Sequence, residues 1–269
     1  EGWVRYPLGV LSILCSEGMQ ETGGFDLLVQ SGIPTGAGLS SSAALELASC
    51  LAFEFLSGTE LSRLERVRAC RRAENEFVGV PCGILDQGVS GFGEAGRLVH
   101  IDCAEETFST VPGMDNTAFW VFESGQKHSL VDSLYSERHR ECREAFEAVR
   151  KAKPDLRWLA HAGMEDLEEI RGEISDAVFR RAEHVIREHG RVRECVSVLE
   201  KGDLSDVGRL LLASHESSSR LFENSIAELD TLVELLSGKE GVYGARLTGG
   251  GFGGAVMALC DENFDTSDA

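Results

Sequence analysis

The chain has 269 residues, of which 42% are apolar and 26% charged, a composition typical of one large globular domain or two smaller ones. Its formal net charge of −19 disfavours nucleic acid and anionic membrane surfaces as partners. The sequence has no apolar run near the roughly 20 residues that a membrane-spanning helix needs, and its eight cysteines are spaced singly rather than in metal-binding or disulfide patterns. We therefore expect a reduced, cytoplasmic protein without a membrane or nucleic-acid partner.

The first third of the chain predicts a strand followed by two helices. Residues 24–29 have the composition of a strand, and a turn rich in proline and glycine follows them. Apolar residues then recur at helical spacing over residues 40–57, which predicts a first helix. A second helix is predicted over residues 62–77, because Ser62 and Glu65 form the sequence signature of a capping box at its start.

The remainder of the chain changes from strand patterns to helix patterns and back. Residues 97–102 and 117–122 are predicted strands. Residues 133–236 have almost continuous helical periodicity and are rich in Glu and Arg. Residues 241–260 return to a strand pattern around a glycine-rich loop. The sequence thus predicts an α+β fold with a helical second part, although periodicity alone does not determine its topology.

The first predicted strand and the first predicted helix are joined by the string Pro34-Thr-Gly-Ala-Gly-Leu-Ser-Ser-Ser-Ala-Ala44. Glycines let the backbone approach a bulky anion closely, and the unpaired amides at a helix start attract phosphate. A lone Gly-x-Gly is more often a simple turn, and serines at this position are often ordinary helix caps. A P-loop is excluded because no Gly-Lys-Ser/Thr follows.

Two acidic residues, Glu74 and Asp86, lie late in the second predicted helix and near the start of another. Phosphoryl transfer to a hydroxyl needs a metal ion to neutralise phosphate charge and a group that accepts the hydroxyl proton. The two carboxylates could fill these roles. An exposed helix face for Glu74 and a helix cap for Asp86 are the commoner outcomes for such residues.

Two further features follow in the second part of the chain. Tyr135, at the start of a predicted helix, could contact a sugar or be an ordinary, partly buried aromatic residue. Residues 249–254 contain five glycines in six positions, too many for a stable helix or strand, and are predicted to form a loop.

The strings at residues 34–44, 72–87 and 247–254 resemble, in the same order, motifs of the galactokinases in the GHMP kinase family. The resemblance implies an α+β GHMP kinase fold with an ATP site between two domains. Residues 1–112 would form an N-terminal domain of the ribosomal S5 domain 2-like type, incomplete at its start. Residues 113–269 would form a ferredoxin-like C-terminal domain.

The resemblance also assigns roles to single residues. The nucleotide phosphates of ATP would be bound by Gly36, Ala37, Gly38, Leu39, Ser40, Ser41 and Ser42. Ser42 and Glu74 would be ligands of Mg²⁺, and Asp86 would be the base that accepts the proton of the anomeric hydroxyl of galactose. Gly83, Asp86 and Tyr135 would contact the sugar, and the loop at residues 249–254 would shape the phosphate site.

One motif of the galactokinases, Gly-Arg-x-Asn-x-Ile-Gly-Glu-His-x-Asp-Tyr, does not occur in the chain. Because this motif supplies contacts to the sugar and the transferred phosphate, we expect the chain to be part of a longer kinase with little turnover by itself. The acceptor could instead be arabinose, galacturonate or N-acetylgalactosamine. A non-catalytic galactose and ATP sensor, or a decayed enzyme, are alternatives from another class. The complete serine loop and the presence of Asp86 favour the enzyme.

Overall fold

A computed structural model of the chain describes residues 2–20, 23–33, 39–126 and 131–265. The chain divides into two compact units, Glu1–Gly113 and Met114–Ala269. The α+β class predicted from the sequence is confirmed. In the part of the chain that the structure describes, no helix combines the length and apolar character needed to cross a membrane.

The first unit consists of helices followed by a hairpin. Its elements are α1 (Arg5–Ser16), α2 (Ser41–Ser57), α3 (Arg63–Arg72) with a π-helical turn at Ala73–Val78, α4 (Leu85–Phe92), β1 (Arg97–Asp102) and β2 (Thr107–Pro112). β1 and β2 form an antiparallel two-stranded sheet. The core is formed by buried faces of the helices, with Val10, Leu14, Leu47, Phe53 and Val67 among its buried residues.

Local sequence signals account for the two predicted helices of this unit. α2 ends at Gly58, whose φ of 70° is the left-handed conformation favoured by a C-terminal glycine. α3 starts after Ser62, and both hydrogen bonds of the predicted capping box to Glu65 are present. Both predicted helices are confirmed, the second as α3 continued by its π-helical turn.

The strand predicted at residues 24–29 is wrong. This segment pairs with no strand in the described part of the chain, and the side chain of Leu28 is 96% exposed. A strand requires ladder hydrogen bonds to a neighbour, and composition cannot supply that neighbour. The prediction also missed α1 and β2. α1 contains Pro7, a helix breaker in most positions, but here Pro7 lies in the first turn, where its missing N–H costs little.

The second unit is a three-stranded sheet with five α-helices among its described residues. Its elements are β3 (Thr117–Glu123), α5 (Val131–Ala152), a 3₁₀ turn (Leu159–His161), α6 (Met164–Glu169), α7 (Asp176–Lys201), α8 (Leu204–Ser217) with a π-helical turn (Ser218–Phe222), α9 (Ala227–Ser237), β4 (Val242–Thr248) and β5 (Ala255–Asp261). The sheet is antiparallel with the order β3-β5-β4.

Two hydrophobic clusters hold the second unit together. One joins α5, α6 and α7 through residues such as Val149, Leu167 and Phe179. The other packs α9 against the sheet through residues such as Leu229 and Val256. The strands predicted at residues 97–102 and 117–122, and the helical character of residues 133–236, are confirmed.

Candidate functional site

The candidate phosphate loop ends at the start of α2. Three of its predicted residues lie outside the described part of the chain, namely Gly36, Ala37 and Gly38. Leu39 and Ser40 come directly before α2, and Ser41 and Ser42 are its first residues. Ser40 occupies the N-cap position with a φ of 52° but makes no capping hydrogen bond with its side chain, so its interpretation as an ordinary cap is wrong.

A cavity of about 1010 Å³ opens beside the first turns of α2. Ser41 and Ser42 supply hydroxyl groups to its lining, whereas Trp3, Ile33 and Leu45 supply apolar surface. The cavity therefore presents apolar walls next to hydroxyl groups. Such a lining suits a ligand with a flat apolar part joined to a polar or anionic part.

Three buried polar side chains meet in the core of the first unit. The Gln87 Nε2 atom lies 2.6 Å from Glu74 Oε2 and 3.1 Å from Glu46 Oε2, so one amide group donates to two carboxyl groups. Glu46 and Gln87 are fully buried, and Glu74 is 6% exposed. The three residues come from α2, the π-helical turn after α3, and α4. We call these residues the Glu46–Gln87–Glu74 cluster.

The cluster places two carboxyl groups in a region of low polarity. The pKa of the Glu46 carboxyl is raised to about 8, mainly by burial, and the carboxylates of Glu74 and Asp86 contribute to the rise while the hydrogen bond from Gln87 opposes it. The pKa of Tyr6 is raised by burial and by the carboxylates of Glu74 and Glu46. A cation bound in this region would therefore be stabilised by several acidic groups.

The Glu46–Gln87–Glu74 cluster offers oxygen atoms that could hold a cation. Ser42 lies one helical turn before Glu46 on α2, so their side chains share a face of the helix, and Gln87 links that face to Glu74. Two acceptor atoms of the cluster, Glu46 Oε1 and Gln87 Oε1, are buried without a hydrogen-bond partner among the described residues. Within this part of the chain no three or more His, Cys, Asp or Glu side chains form a metal cage. Carboxylate oxygens are ligands that Mg²⁺ prefers, and this ion commonly takes one or two of them and completes its shell with phosphate oxygens and water.

Glu74 and Asp86 both depart from their commoner interpretations. Glu74 is buried rather than on an exposed helix face. Asp86 lies in the first turn of α4, as predicted, but the cap position is Ile84. Asp86 is half-buried and directly precedes Gln87, whereas Gly83 is exposed in the turn before α4. Asp86 also lies near the Glu46–Gln87–Glu74 cluster, because its carboxylate contributes to the raised pKa of Glu46.

In the second unit, the predicted glycine loop is held by Asn224. The Asn224 carbonyl accepts from the Phe252 N–H at 2.6 Å, and its side-chain Nδ2 donates to the Gly250 carbonyl at 3.1 Å. Gly251 has a φ of 79°, and a Cβ at this position would lie 2.1 Å from the Asn224 carbonyl oxygen. Only glycine fits such a close approach. The loop is thus a built structure rather than a flexible turn.

Tyr135 lies near the start of α5 and is 51% exposed. Its ring is therefore accessible and not packed into either hydrophobic cluster of the second unit. One helical turn later, Arg138 is 8% exposed and donates hydrogen bonds to the backbone carbonyls of Phe222 and Glu223. The start of α5 thus combines an exposed aromatic side chain with a buried arginine.

Comparison with known proteins places these features in a family. Residues 5–94 match the GHMP kinases N terminal domain, and residues 195–267 match the GHMP kinases C terminal domain. The chain is 39% identical over 258 residues to a galactokinase of Thermotoga neapolitana, covering 96% of this chain and 71% of that protein. The chain belongs to the galactokinase family.

Human and structural relatives agree with this membership. A human galactokinase is 38% identical over 260 residues, covering 96% of this chain and 64% of that protein. The crystal structure of Lactococcus lactis galactokinase complexed with galactose superposes with a TM-score of 0.90 and 34% sequence identity, covering 97% of this chain and 68% of that one. The fold described above is therefore the fold of the galactokinase family.

Sequence reasoning missed four residues of the features described above, namely Glu46, Gln87, Arg138 and Asn224. A weak signal existed for Glu46, a charged residue one turn after Ser42 in a mostly apolar helix. Gln87 directly follows Asp86, and Arg138 lies three residues after Tyr135. Asn224 had no signal, because its contact with the glycine loop joins residues far apart in the sequence.

Proposed function

We propose that the protein containing this chain transfers the γ-phosphoryl group of ATP to the anomeric hydroxyl of galactose, forming galactose 1-phosphate and ADP. The observation that carries the proposal is that Asp86, in the first turn of α4, lies near enough to the buried Glu46–Gln87–Glu74 cluster to raise the pKa of Glu46. Membership of the galactokinase family supports both the reaction and the sugar.

The nucleotide is proposed to bind at the start of α2. The phosphates would lie against the loop at residues 36–42, where backbone amides of the helix start point outward and the helix dipole favours negative charge. The adenine base fits the adjoining cavity, because Trp3, Ile33 and Leu45 offer apolar surface to a flat aromatic ring. The hydroxyls of Ser41 and Ser42 lie at the boundary between the phosphate loop and the cavity.

Glu74 and Ser42 are proposed to hold Mg²⁺. When bound, the ion neutralises charge on the β- and γ-phosphates. The chain's own contribution is to fix the carboxylate, because Gln87 Nε2 donates to Glu74 Oε2 at 2.6 Å and the Cys82 thiol lies 3.6 Å from the same oxygen. A carboxylate held in this way loses little further freedom when it coordinates a cation.

Asp86 is proposed to be the general base. As the anomeric oxygen forms its bond to the γ-phosphorus, its proton passes to the Asp86 carboxylate, and the bond from the γ-phosphorus to the β–γ bridging oxygen breaks to release ADP. Gly83 leaves the approach to Asp86 uncrowded, since it lacks a side chain and is exposed. Tyr135 is proposed to contact the sugar ring with its accessible side chain.

The remaining assignments follow from the same proposal. The glycine loop at residues 249–254 would help to shape the phosphate site. Residues 1–112 would form the GHMP N-terminal domain and residues 113–269 the C-terminal domain. We place the protein in the cytoplasm, where ATP and Mg²⁺ are abundant and where its eight free cysteines would stay reduced.

The test is a sugar panel on the protein expressed from its complete reading frame. Release of ADP would be followed with galactose, arabinose, galacturonate and N-acetylgalactosamine, and the product would be identified by ³¹P NMR. We expect the highest kcat/KM with galactose. The substitution Asp86→Asn should lower kcat by about 10²- to 10⁴-fold while leaving ATP binding nearly unchanged, since only proton transfer is removed.

The matched control is Glu76→Gln, because Glu76 is an exposed acid of the same sequence string and pairs with Arg72. Its kcat should stay within about twofold of wild type, as expected for a surface ion pair. Binding of galactose and ATP without any ADP release would refute the kinase and indicate a sensor. A higher kcat/KM with another sugar of the panel would refute galactose as the acceptor.

A further inference from the structure

The glycine loop at residues 249–254 is connected to α5 and α7 through one arginine of each helix. After the π-helical turn Ser218–Phe222, the chain turns at Glu223, whose φ is 53°, and leads directly into Asn224, the residue that holds the loop. The last carbonyls of a helix have no partners within the helix and need donors from elsewhere. In this unit the donors are guanidinium groups.

Arg138 and Arg181 supply those donors. Arg138 donates from Nε to the Phe222 carbonyl at 2.7 Å and from Nη2 to the Glu223 carbonyl at 3.2 Å. Arg181 donates from Nη1 to the Leu221 carbonyl at 2.6 Å. Three consecutive carbonyls are therefore fixed by two planar side chains. A lysine could not reproduce this arrangement, because its ammonium group lacks the forked geometry.

The charges of the two arginines are balanced by two carboxylates. Glu141 Oε2 accepts from Arg138 at 3.0 Å and from Arg181 at 3.1 Å, and Glu223 Oε2 accepts from Arg181 at 2.7 Å. The Arg181 and Arg180 guanidinium groups lower the pKa of the Glu223 carboxyl to about 2, despite its partial burial. The two arginines of the network are thus matched by two carboxylates, and Glu223 stays ionised at neutral pH.

Arg138 also contacts the glycine loop directly. Its guanidinium carbon lies 5.7 Å from the centre of the Phe252 ring, within the range of a cation–π contact. Phe252 is buried and has a φ of 58°, a conformation that a residue with a side chain seldom adopts without support. One side chain of α5 therefore holds both the carbonyls before Asn224 and the aromatic residue within the loop.

We infer that Arg138 is a positioning residue that couples the sugar subsite to the nucleotide subsite. The inference rests on the proposed function, in which Tyr135 contacts the sugar and residues 249–254 shape the phosphate site. Tyr135 and Arg138 are separated by one turn of α5, so a shift of either the loop or the helix start moves the other. Occupancy of one subsite should then favour occupancy of the other.

The test measures this coupling in the protein expressed from its complete reading frame. Isothermal titration would give the Kd of galactose in the absence and presence of saturating Mg²⁺ and the non-hydrolysable ATP analogue AMP-PNP. The ratio of the two constants is the coupling factor. For wild type we expect a factor of roughly 5 or more, and for Arg138→Gln a factor close to one. The kcat/KM for ATP should fall by roughly 100-fold in Arg138→Gln.

Three variants separate coupling from loss of structure. Arg140→Gln removes the same charge from an exposed position on the same helix and should keep the wild-type coupling factor. Asn224→Ala should weaken AMP-PNP binding and leave the Kd of galactose alone unchanged, because it loosens only the loop. Phe252→Leu removes the ring contact without leaving a buried charge unpaired, so it should reduce the coupling factor even if Arg138→Gln does not fold.

Each result decides a separate question. A wild-type coupling factor in folded Arg138→Gln or in Phe252→Leu overturns the inference and leaves the kinase proposal intact. Equal loss of coupling in Arg140→Gln also overturns it, since a general charge effect would then be responsible. A wild-type protein that binds neither galactose nor AMP-PNP refutes the proposed function itself.

Discussion

At the scale of single residues, Gln87 determines how two buried carboxyl groups are arranged. An amide group can donate two hydrogen bonds, and both donors of Gln87 are directed at carboxyl oxygens. Without those donors Glu46 and Glu74 would face each other in a buried region without compensation, which is costly for charged groups. Gln87 thus orients Glu74, the proposed metal ligand. In the sequence it directly follows Asp86, the proposed base.

The raised pKa of Glu46 predicts a dependence of stability on pH. Its folded-state pKa is about 8 and its ordinary value is 4.5, so the folded state holds a proton that the unfolded state releases as the pH rises above about 4.5. The contribution of Glu46 to stability is therefore complete below pH 4.5 and is lost progressively up to about pH 8. In Glu46→Gln, which does not titrate, this loss should be absent. At about pH 8 the variant should melt roughly 5 °C or more above wild type.

Thermal melts of both proteins, in buffer without Mg²⁺ between about pH 5 and pH 8, would check this prediction. Other groups that titrate over this range, including the buried His184 and His215, are the same in both proteins, so the difference between the two curves isolates Glu46. Melting curves that run parallel over the whole range would contradict a proton held by Glu46 in the folded state.

Sequence reasoning reached part of the site and could not reach the rest. Asp86 was correctly expected near a helix start, because a glycine turn and a helical pattern are local features. The burial of Glu74 depends on how the turn after α3 packs against α2 and α4, and no local pattern encodes that packing. For the same reason the sequence alone did not connect Glu46 with Gln87, which are 41 residues apart.

At the scale of elements, two π-helical turns adjoin the candidate sites. Ala73–Val78 follows α3 and contains Glu74, and Ser218–Phe222 follows α8 and leads to Asn224. A π-helical turn widens the helix and redirects the side chains that follow, and such turns are frequent at functional sites. Both turns end in residues of left-handed conformation, Gly79 and Glu223. The first turn thus helps to direct Glu74 toward Gln87, and the second helps to direct Asn224 toward the glycine loop.

The close packing of α8 on β4 predicts a strongly destabilising substitution. A Cβ at Gly208 would lie 1.9 Å from the Tyr243 carbonyl oxygen, and backbone atoms cannot move aside as a flexible side chain can. Gly208→Ala should therefore lower the free energy of unfolding by roughly 3 kcal/mol or more, the range of severe overpacking. The control is Gly190→Ala in α7, where a Cβ would meet no atom within 4 Å. Alanine favours a helix by up to about 1 kcal/mol over glycine, so the control should be neutral or stabilising.

Urea unfolding of the two variants beside wild type would measure both effects, with the slope m checked for constancy. Equal stability of Gly208→Ala and wild type would mean that α8 and β4 are further apart than the structure places them. A large loss in Gly190→Ala would show instead that helical glycines in this unit are sensitive for a reason unrelated to close packing.

Elements with local signals could be predicted, and elements that depend on partners could not. α2 and α3 carry their own caps in Gly58 and Ser62, and both were found. The segment at residues 24–29 has the residue types of a strand but no pairing partner in the described chain. α1 was not predicted, and its Pro7 is a residue that disrupts helices in most positions, although the first turn of a helix tolerates it.

At the scale of the whole molecule, the net charge of −19 opposes the binding of a polyanionic nucleotide. The field of the whole protein slows the approach of ligands of like charge, whereas amides, hydroxyls and Mg²⁺ at the site attract phosphate over short distances only. Salt screens the long-range repulsion strongly, since the Debye length falls to about 8 Å near physiological ionic strength, and it screens short contacts much less. The two effects can therefore be separated by varying the salt concentration.

We expect nucleotide association to become faster as salt increases, the opposite of what a basic nucleotide site shows. Between about 20 and 200 mM NaCl, at constant free Mg²⁺, the association rate of ATP measured by stopped flow should rise roughly two- to fivefold. Galactose, which is uncharged, is the matched control, and its association rate should not change. A fall in the ATP rate over this range would mean that local positive charge extends well beyond the loop at residues 36–42 and dominates the approach of the nucleotide. The surface acidity of this chain would then have no part in how it selects its substrates.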